Sequence, residues 1–216
     1  MFHGRTELLR TRGNVFVLSG PSGSGKNTIL ARLRETVPGL AYSVSATTRS
    51  PREGEIHGRD YFFLTREEFV ARAEAGEFLE TAEFCGNLYG TPRTFIEHRL
   101  QAREDVILDI EIRGADQIRQ AMPEAVFIFL MPPSLAELRA RVDRRGKDSP
   151  EAVKRRMQKA VEETQAVVRY DYVVMNSDLE SAVDCVRAII VAERCRVSRW
   201  TCESFVQGLR EESEKL

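Results

Sequence analysis

Apolar residues occur along the chain in short runs, and segments with a helical spacing of apolar residues separate these runs. The strand-like runs are 15–18, 106–110, 125–130 and 172–175. The helix-like segments are 26–36, 92–103, 114–122, 135–144 and 150–170. Nearly continuous apolar runs indicate strands that are buried on both faces. Their alternation with helices predicts an α/β fold in which helices flank a parallel sheet.

Two sections interrupt this alternation. Residues 41–89 contain short alternating pieces and one short helix at 66–74, which predicts a small β-rich lobe inserted into the α/β core. Residues 143–150 carry Gly, Pro and three cations between two helices, which is typical of a hinged lid. We therefore divide a single domain into four parts: a core at 13–44, 92–140 and 157–195, a lobe at 45–91, a lid at 141–156 and a C-terminal helical extension at 196–216. In the extension, Trp200, Phe205 and Leu209 are spaced for a narrow packed stripe.

Composition limits the classes of partner. The net charge of −1 predicts no bulk attraction to nucleic acid or to an anionic membrane. Four cysteines without C-x-x-C spacing and only three histidines argue against a zinc site and favour free thiols in a reducing cytosol. The first 14 residues lack the apolar core of a signal peptide, and no apolar run is long enough to span a membrane. We expect a cytoplasmic protein, and a monomer and a homo-oligomer are both compatible with the sequence.

A phosphate-binding motif follows the first strand. The pattern Gly20-x4-Gly25-Lys26 follows a predicted strand, and a predicted helix begins at Lys26. This is the context that a P-loop requires. Backbone N–H groups of such a loop and the positive end of the helix surround a polyphosphate, and the lysine reaches its β- and γ-phosphates. The residues predicted to hold the polyphosphate of a nucleotide are Gly20, Pro21, Ser22, Gly23, Ser24, Gly25, Lys26, Asn27 and Thr28.

Asn27 departs from this motif, because a Ser or Thr hydroxyl normally holds magnesium at that position. Thr28 points about 100° further round the helix and is not an obvious substitute. Either the amide oxygen of Asn27 is a ligand of Mg²⁺, or water and the phosphates hold the ion. Asp109, near the end of the second long strand, is the other candidate for the metal side.

Three further stretches carry a resemblance. They are "SVSATTRSPREGEIHGRDYFF" at 43–63, "GEFLETAEFCGNLYGTP" at 76–92 and "ILDIEIRGA" at 107–115. In order and spacing, residues 14–193 closely resemble the guanylate kinase family. The resemblance implies transfer of the γ-phosphoryl group of ATP to GMP, with Mg²⁺, giving ADP and GDP.

The resemblance also implies roles for individual residues. Arg49, Arg52, Tyr61 and Tyr89 match residues that bind the phosphate of GMP. The positions that face the guanine or lie beside it are Ser45, Glu80, Thr91, Asp109 and Glu111, and at Glu111 the family usually has Asp. Asn176 matches a loop near the adenine. Together with Lys26 and Arg49, lid-side arginines would surround the transferring phosphoryl group: Arg141, Arg145 and Arg156.

Elementary chemistry agrees with these roles. Two arginines three residues apart can bind a phosphate dianion in bidentate fashion. The carboxylate of Glu80 can accept hydrogen bonds from N1–H and the 2-amino group of guanine. Adenine offers no such pair, so a buried carboxylate would discriminate against it.

Two other functions are compatible with the fold. One is a non-catalytic binding module for phosphopeptides, which would tend to lose the glycines and lysine of the P-loop, whereas Gly23, Gly25 and Lys26 are present. The other is a kinase for a different small molecule, such as a ribosyl bisphosphate. That function predicts loss of the base-reading residues, and Ser45, Glu80 and Thr91 are all present.

Overall fold

The computed structural model describes residues 10–84, 86–143, 150–200 and 202–214. Its strands are β1 (Val15–Ser19), β2 (Leu40–Tyr42), β3 (Ala46–Thr47), β4 (Phe62–Phe63), β5 (Phe78–Phe84), β6 (Asn87–Pro92), β7 (Asp105–Asp109), β8 (Val126–Met131) and β9 (Tyr172–Met175). Its helices are α1 (Lys26–Thr36), α2 (Arg66–Glu74), α3 (Arg93–Gln101), α4 (Ile112–Ala121), α5 (Leu135–Asp143), α6 (Pro150–Thr164), α7 (Leu179–Arg194) and α8 (Cys202–Ser213).

A parallel sheet forms the centre of the described chain, with strand order β2-β7-β1-β8-β9. Successive side chains of β1 point to opposite faces. Phe16 and Leu18 pack in a cluster with residues of α1 and α7, whereas Val15 and Val17 pack in a second cluster with residues of α3 and α4. Burial of both faces explains why the strand sequences are apolar at nearly every position. The predicted α/β fold is confirmed.

A small mixed sheet, with order β4-β3-β6-β5, lies between β2 and α3 in the sequence. Its own core contains Ala46, Phe69 of α2 and Phe78, and the two phenylalanine rings stack with centroids 4.6 Å apart. The irregular sequence begins at residue 41, but Leu40–Tyr42 pairs with β7 and belongs to the central sheet.

Two helical segments differ from the sequence prediction. The helix predicted over 150–170 ends at Thr164 and continues as a 3₁₀ turn, Gln165–Arg169. The long helix α7 was not predicted, although its buried Ala182, Val186 and Ile190 follow helical spacing. None of the described helices is long and apolar enough to cross a bilayer.

The C-terminal extension also differs from the prediction. Trp200 is not part of a helical stripe, because it precedes α8 and forms a β-bridge with Arg10. Its indole N–H donates to the carbonyl of Arg194 at 2.9 Å. Leu209 of α8 is 49% exposed, and the side chain of Phe205 lies outside the described residues. The predicted stripe is therefore wrong at Trp200.

One buried carboxylate joins distant segments at the amino-terminal end of the central strands. Asp105, at the start of β7, is fully buried and forms ion pairs with Arg10 and Arg194. It also accepts the backbone N–H of Asn14 at 2.7 Å. Two cations and a backbone donor compensate the charge of this carboxylate. A buried carboxylate without such partners would be strongly destabilising.

Candidate active site

The P-loop lies where β1 ends in the middle of the central sheet. Residues 20–25 connect β1 to α1, and Gly25 occupies the N-cap position of α1 with φ 102°. Within the described residues, no side chain caps this helix, and its first turn contains no acidic residue. The first N–H groups of α1 therefore point towards the loop without an internal acceptor, and this arrangement favours binding of an anion.

Close packing explains why two positions of this loop need glycine. A Cβ atom on Gly20 would lie 2.3 Å from the carbonyl oxygen of Leu130 in β8. A Cβ atom on Gly25 would lie 2.4 Å from Nδ2 of Asn176. Both distances are far shorter than any real contact, so a larger residue at Gly20 would displace backbone, and one at Gly25 would displace either the loop or the Asn176 side chain.

Lys26 and Asp109 are two ionisable side chains beside the P-loop, at the start of α1 and at the end of β7. Nζ of Lys26 donates to the carbonyl of Gly20 at 2.7 Å. Asp109 ends β7, next to Leu18 of β1. Burial raises the pKa of Asp109, Lys26 lowers it, and Glu111 raises it. Asn27 and Thr28 are exposed in the first turn of α1.

Asn176 and Arg141 brace the P-loop from the neighbouring strand end and helix. Asn176 follows β9, and its side-chain amide donates to the carbonyl of Ser24 at 2.7 Å. Arg141 of α5 donates to the carbonyl of Asn176 at 2.9 Å and to Glu137 at 2.9 Å. The resemblance implies a lid-side role around the transferring phosphoryl group for Arg141 and a position near the adenine for Asn176. In the structure, both side chains bond to the carbonyl of Ser24 in the loop.

A second cluster, in the small-sheet region, contains Arg49, Tyr61 and Tyr89. The guanidinium of Arg49 lies 5.3 Å from the ring centroid of Tyr61, and the two tyrosine rings are 6.2 Å apart with an edge-to-face geometry. Burial raises the pKa of Tyr61, so its hydroxyl remains a hydrogen-bond donor at neutral pH. Cation and hydroxyl donors placed together are suited to a phosphate.

Glu55 also belongs to this cluster, and the sequence reasoning missed it. Its carboxylate binds both terminal nitrogens of Arg49, at 3.0 and 2.9 Å, and accepts the backbone N–H of Arg52 at 2.7 Å. The signal in the sequence is an acid six residues after Arg49 within a loop containing Pro and Gly, where the chain can turn back.

Glu80 is the buried carboxylate of the site. It lies on β5 with 6% of its surface exposed, and Thr91 of β6 donates its hydroxyl to Oε1 at 2.9 Å. The other oxygen approaches α4, because a Cβ on Gly114 would lie 2.8 Å from Oε2. Burial raises the pKa of Glu80 to about 7, Thr91 lowers it, and the charge of Glu111 raises it. Thr91 thus holds a largely buried carboxylate beside the first turn of α4.

The remaining predicted residues take less constrained positions. Ser45 precedes β3, and its carbonyl accepts the N–H of Phe62 at 2.9 Å. Glu111 is exposed at the start of α4, with Oε2 4.0 Å from Nζ of Lys159. Arg52 and Arg156 are exposed, on the Arg49 loop and on α6 respectively. Arg145 lies outside the described residues.

Comparison with known proteins agrees with this geometry. The family model described as guanylate kinase matches residues 12–193. A guanylate kinase of Desulfitobacterium hafniense is 50% identical over 190 residues, covering 88% of this chain and 95% of that protein. A guanylate kinase of Thermus thermophilus is 50% identical over 188 residues, covering 87% and 85% of the two chains.

A solved structure gives the same result for the fold. The crystal structure of guanylate kinase from Anaplasma phagocytophilum superimposes with a TM-score of 0.72 at 36% identity, and covers 94% of this chain and 95% of that one. A P-loop braced by Asn176, a cluster of Arg49 with Tyr61 and Tyr89, and a buried Glu80 thus occur in a chain whose residues 12–193 match the family model. This chain belongs to the guanylate kinase family.

Proposed function

We propose that the protein transfers the γ-phosphoryl group of ATP to GMP. A phosphate oxygen of GMP attacks the γ-phosphorus, the bond between that phosphorus and the β,γ-bridging oxygen breaks, and ADP and GDP leave. Phosphoryl transfer depends on positioning and on charge stabilisation more than on covalent catalysis. The observation that carries the proposal is the buried carboxylate of Glu80, held by Thr91 in the same chain as an intact P-loop.

The P-loop holds the donor nucleotide. The N–H groups at the start of α1 bind the phosphates of ATP, and Lys26, now bonded to the carbonyl of Gly20, turns towards the β- and γ-phosphates. Arg141 and Asn176 keep the loop in shape through their bonds to it. We place Arg145 and Arg156 on the lid that closes over the transferring group and excludes water.

The cluster around Arg49 holds the acceptor phosphate. Arg49 and Arg52 supply positive charge, while Tyr61 and Tyr89 supply hydroxyl donors. The base lies against Glu80, whose ionised carboxylate accepts from N1–H and the 2-amino group of guanine. Ser45, Thr91 and Glu111 complete the surroundings of the base. A base without these donors would leave the buried carboxylate unpaired, at a cost of about 1–3 kcal/mol or more.

The donor set also fits a magnesium ion. Asp109 offers a carboxylate and Asn27 offers an amide oxygen, both hard ligands of the kind that Mg²⁺ uses beside phosphates. Among the described residues, no three His, Cys, Asp or Glu side chains form a closed metal site. When bound, Mg²⁺ would neutralise the charge that develops on the phosphate oxygens. We also propose a cytoplasmic location, because Cys185, Cys195 and Cys202 are free thiols.

The test is release of ADP from ATP with GMP, AMP, CMP and UMP as separate acceptors, across a magnesium titration. We expect rapid turnover with GMP and at most slow turnover with the others. Comparison of the wild type with Asn27→Ser then shows whether Asn27 contributes to the metal, since a Ser hydroxyl should lower the magnesium concentration needed. GMP binding without turnover would reject catalysis and favour a binding module.

A further inference from the structure

The side chain of Gln117 pairs with the backbone of the small sheet as if it were a neighbouring strand. The N–H of Thr81 in β5 donates to Oε1 of Gln117 at 3.1 Å. In return, Nε2 of Gln117 donates to the carbonyl of Thr81 at 2.9 Å. Gln117 lies on α4 of the central α/β core, so this amide ties the peptide groups of Thr81 to a different layer of the structure.

The tie lies at an irregularity in the β5–β6 pairing. Phe78 pairs with Pro92 and Thr81 pairs with Gly90, so β5 contains one more residue than β6 between these two points. An extra residue of this kind is a β-bulge, which changes the direction of side chains next to it. Phe78, Leu79 and Glu80 are all buried here, whereas alternate residues of a regular strand point to opposite faces.

The bulge controls where Glu80 points, because Glu80 is the residue directly before Thr81. A regular strand would send Leu79 and Glu80 to opposite faces of the sheet. Instead, Leu79 packs in the central core, and Glu80 is directed inward to Thr91 and to the first turn of α4. Fixing both peptide groups of Thr81 therefore fixes the backbone that aims the carboxylate.

Helix α4 provides both the space for the Glu80 carboxylate and the hydrogen bonds to Thr81. Gly114 and Gln117 are three residues apart on α4, so they share a helix face. Gly114 admits Oε2 of Glu80, since any Cβ there would lie 2.8 Å from that oxygen. One face of α4 thus receives the carboxylate and holds the strand that carries it.

We propose that Gln117 is a positioning residue for guanine selectivity, acting through the Thr81 backbone on the direction of Glu80. This inference rests on the proposed GMP kinase activity and adds a selectivity determinant to it. Gln117 itself does not touch the base. Loss of its amide frees the bulge, so the carboxylate no longer meets N1–H and the 2-amino group together, while the ATP side is unaffected.

The experiment compares GMP with inosine monophosphate, which has the same sugar, phosphate and N1–H but lacks the 2-amino group. The variant is Gln117→Met, which keeps the length of the side chain and removes both hydrogen bonds. The matched control is Gln120→Met, on the exposed face of the same helix. For each protein, kcat/KM is measured with both acceptors, together with KM for ATP and the melting temperature.

We expect the preference for GMP over inosine monophosphate to fall about tenfold in Gln117→Met, because a buried polar contact is worth that much in discrimination. KM for ATP should stay within about twofold, and Gln120→Met should behave as the wild type. An unchanged preference in Gln117→Met, even with a lower melting temperature, would overturn the proposal and leave Gln117 a purely structural tie.

A double-mutant cycle with Glu80→Gln tests whether Gln117 acts through Glu80. In the Glu80→Gln background, the further change Gln117→Met should leave the remaining preference unaltered, because the two residues form one unit. Independent, multiplying effects would contradict the proposal. If Gln117→Met does not fold, Gln117→Glu is measured in its place, because it keeps the acceptor for the N–H of Thr81. We expect it to lose less of the preference for GMP over inosine monophosphate. A preference equal to that of the wild type would contradict the inference. A wild type that does not phosphorylate GMP would instead reject the proposed function.

Discussion

Arg49 and Glu55 form a bidentate ion pair in which both terminal guanidinium nitrogens meet both carboxylate oxygens, at 3.0 and 2.9 Å. The same NH1 group also donates to the carbonyl of Ser50 at 2.7 Å. These bonds fix the plane of the guanidinium before any nucleotide arrives. A side chain held in this way loses less conformational entropy when it binds a phosphate, so Glu55 pre-organises the acceptor site.

Replacing Arg49 with lysine should remove this fork while keeping the positive charge. A lysine ammonium cannot bind Glu55 and a phosphate in bidentate geometry, so we expect KM for GMP to rise about tenfold or more. KM for ATP should change little. The control is Arg72→Lys, on the exposed surface of α2. Steady-state kinetics with both substrates provides the measurement, and an equal rise in both KM values would contradict the assignment of Arg49 to GMP.

The affinity for GMP should depend on pH through Glu80. Burial raises the pKa of this carboxyl to about 7, and only the ionised form can accept both guanine donors. We therefore expect KM for GMP to rise about tenfold between pH 8 and pH 6, as the carboxylate becomes protonated. The phosphate of GMP also titrates near pH 6. The Glu80→Gln variant has no titrating group at position 80, so its pH profile measures the contribution of the phosphate alone. An equally steep profile in Glu80→Gln would exclude Glu80 as the origin.

Lys26→Met should reduce kcat and leave binding of GMP intact. The lysine stabilises charge on the transferring group, and loss of one such contact costs about 10²–10³ in kcat. Single-turnover kinetics gives the chemical step, and calorimetric titration gives GMP affinity. Near-normal turnover would remove the P-loop lysine from the mechanism.

Gly25→Ala should disturb both the loop and its brace. An alanine at φ 102° is strained by roughly 1–2 kcal/mol, and its Cβ would also meet Nδ2 of Asn176. Gly54→Ala is the matched control, since Gly54 has φ 83° but no atom within 4 Å of the added Cβ. We expect the larger fall in melting temperature, and a loss of ATP affinity, in Gly25→Ala alone. Equal effects would show that the contact with Asn176 is unimportant.

Local signals in the sequence predicted the strand and the helix that flank the P-loop. The strand before Gly20 and the helix after Gly25 are encoded within about 20 neighbouring residues by apolar runs and glycines. The buried state of Glu80 was harder to predict, because the bulge that turns it inward depends on pairing between β5 and β6. A regular alternating pattern leaves the direction of such a residue undecided.

Contacts between distant residues were not readable from the sequence. Gln117 and Thr81 are 36 positions apart, and Asn176 and Ser24 are 152 positions apart. Such bonds form only once the central sheet has placed its strand ends side by side. Helix α7 is a different case, because its apolar spacing and the Asp178 N-cap, which accepts the N–H of Ser181 at 2.9 Å, were local signals.

The carboxylate of Asp105 has a topological consequence. It binds Arg10, 95 residues before it, and Arg194, 89 residues after it. The polypeptide between these arginines is therefore a loop that a single side chain closes, and its two ends are neighbours in space. The segment 10–194 could therefore be circularly permuted by a linker that joins its two ends. The closure lies at the end of the central strands opposite the P-loop, so a linker that rejoined the chain there would be remote from the phosphates.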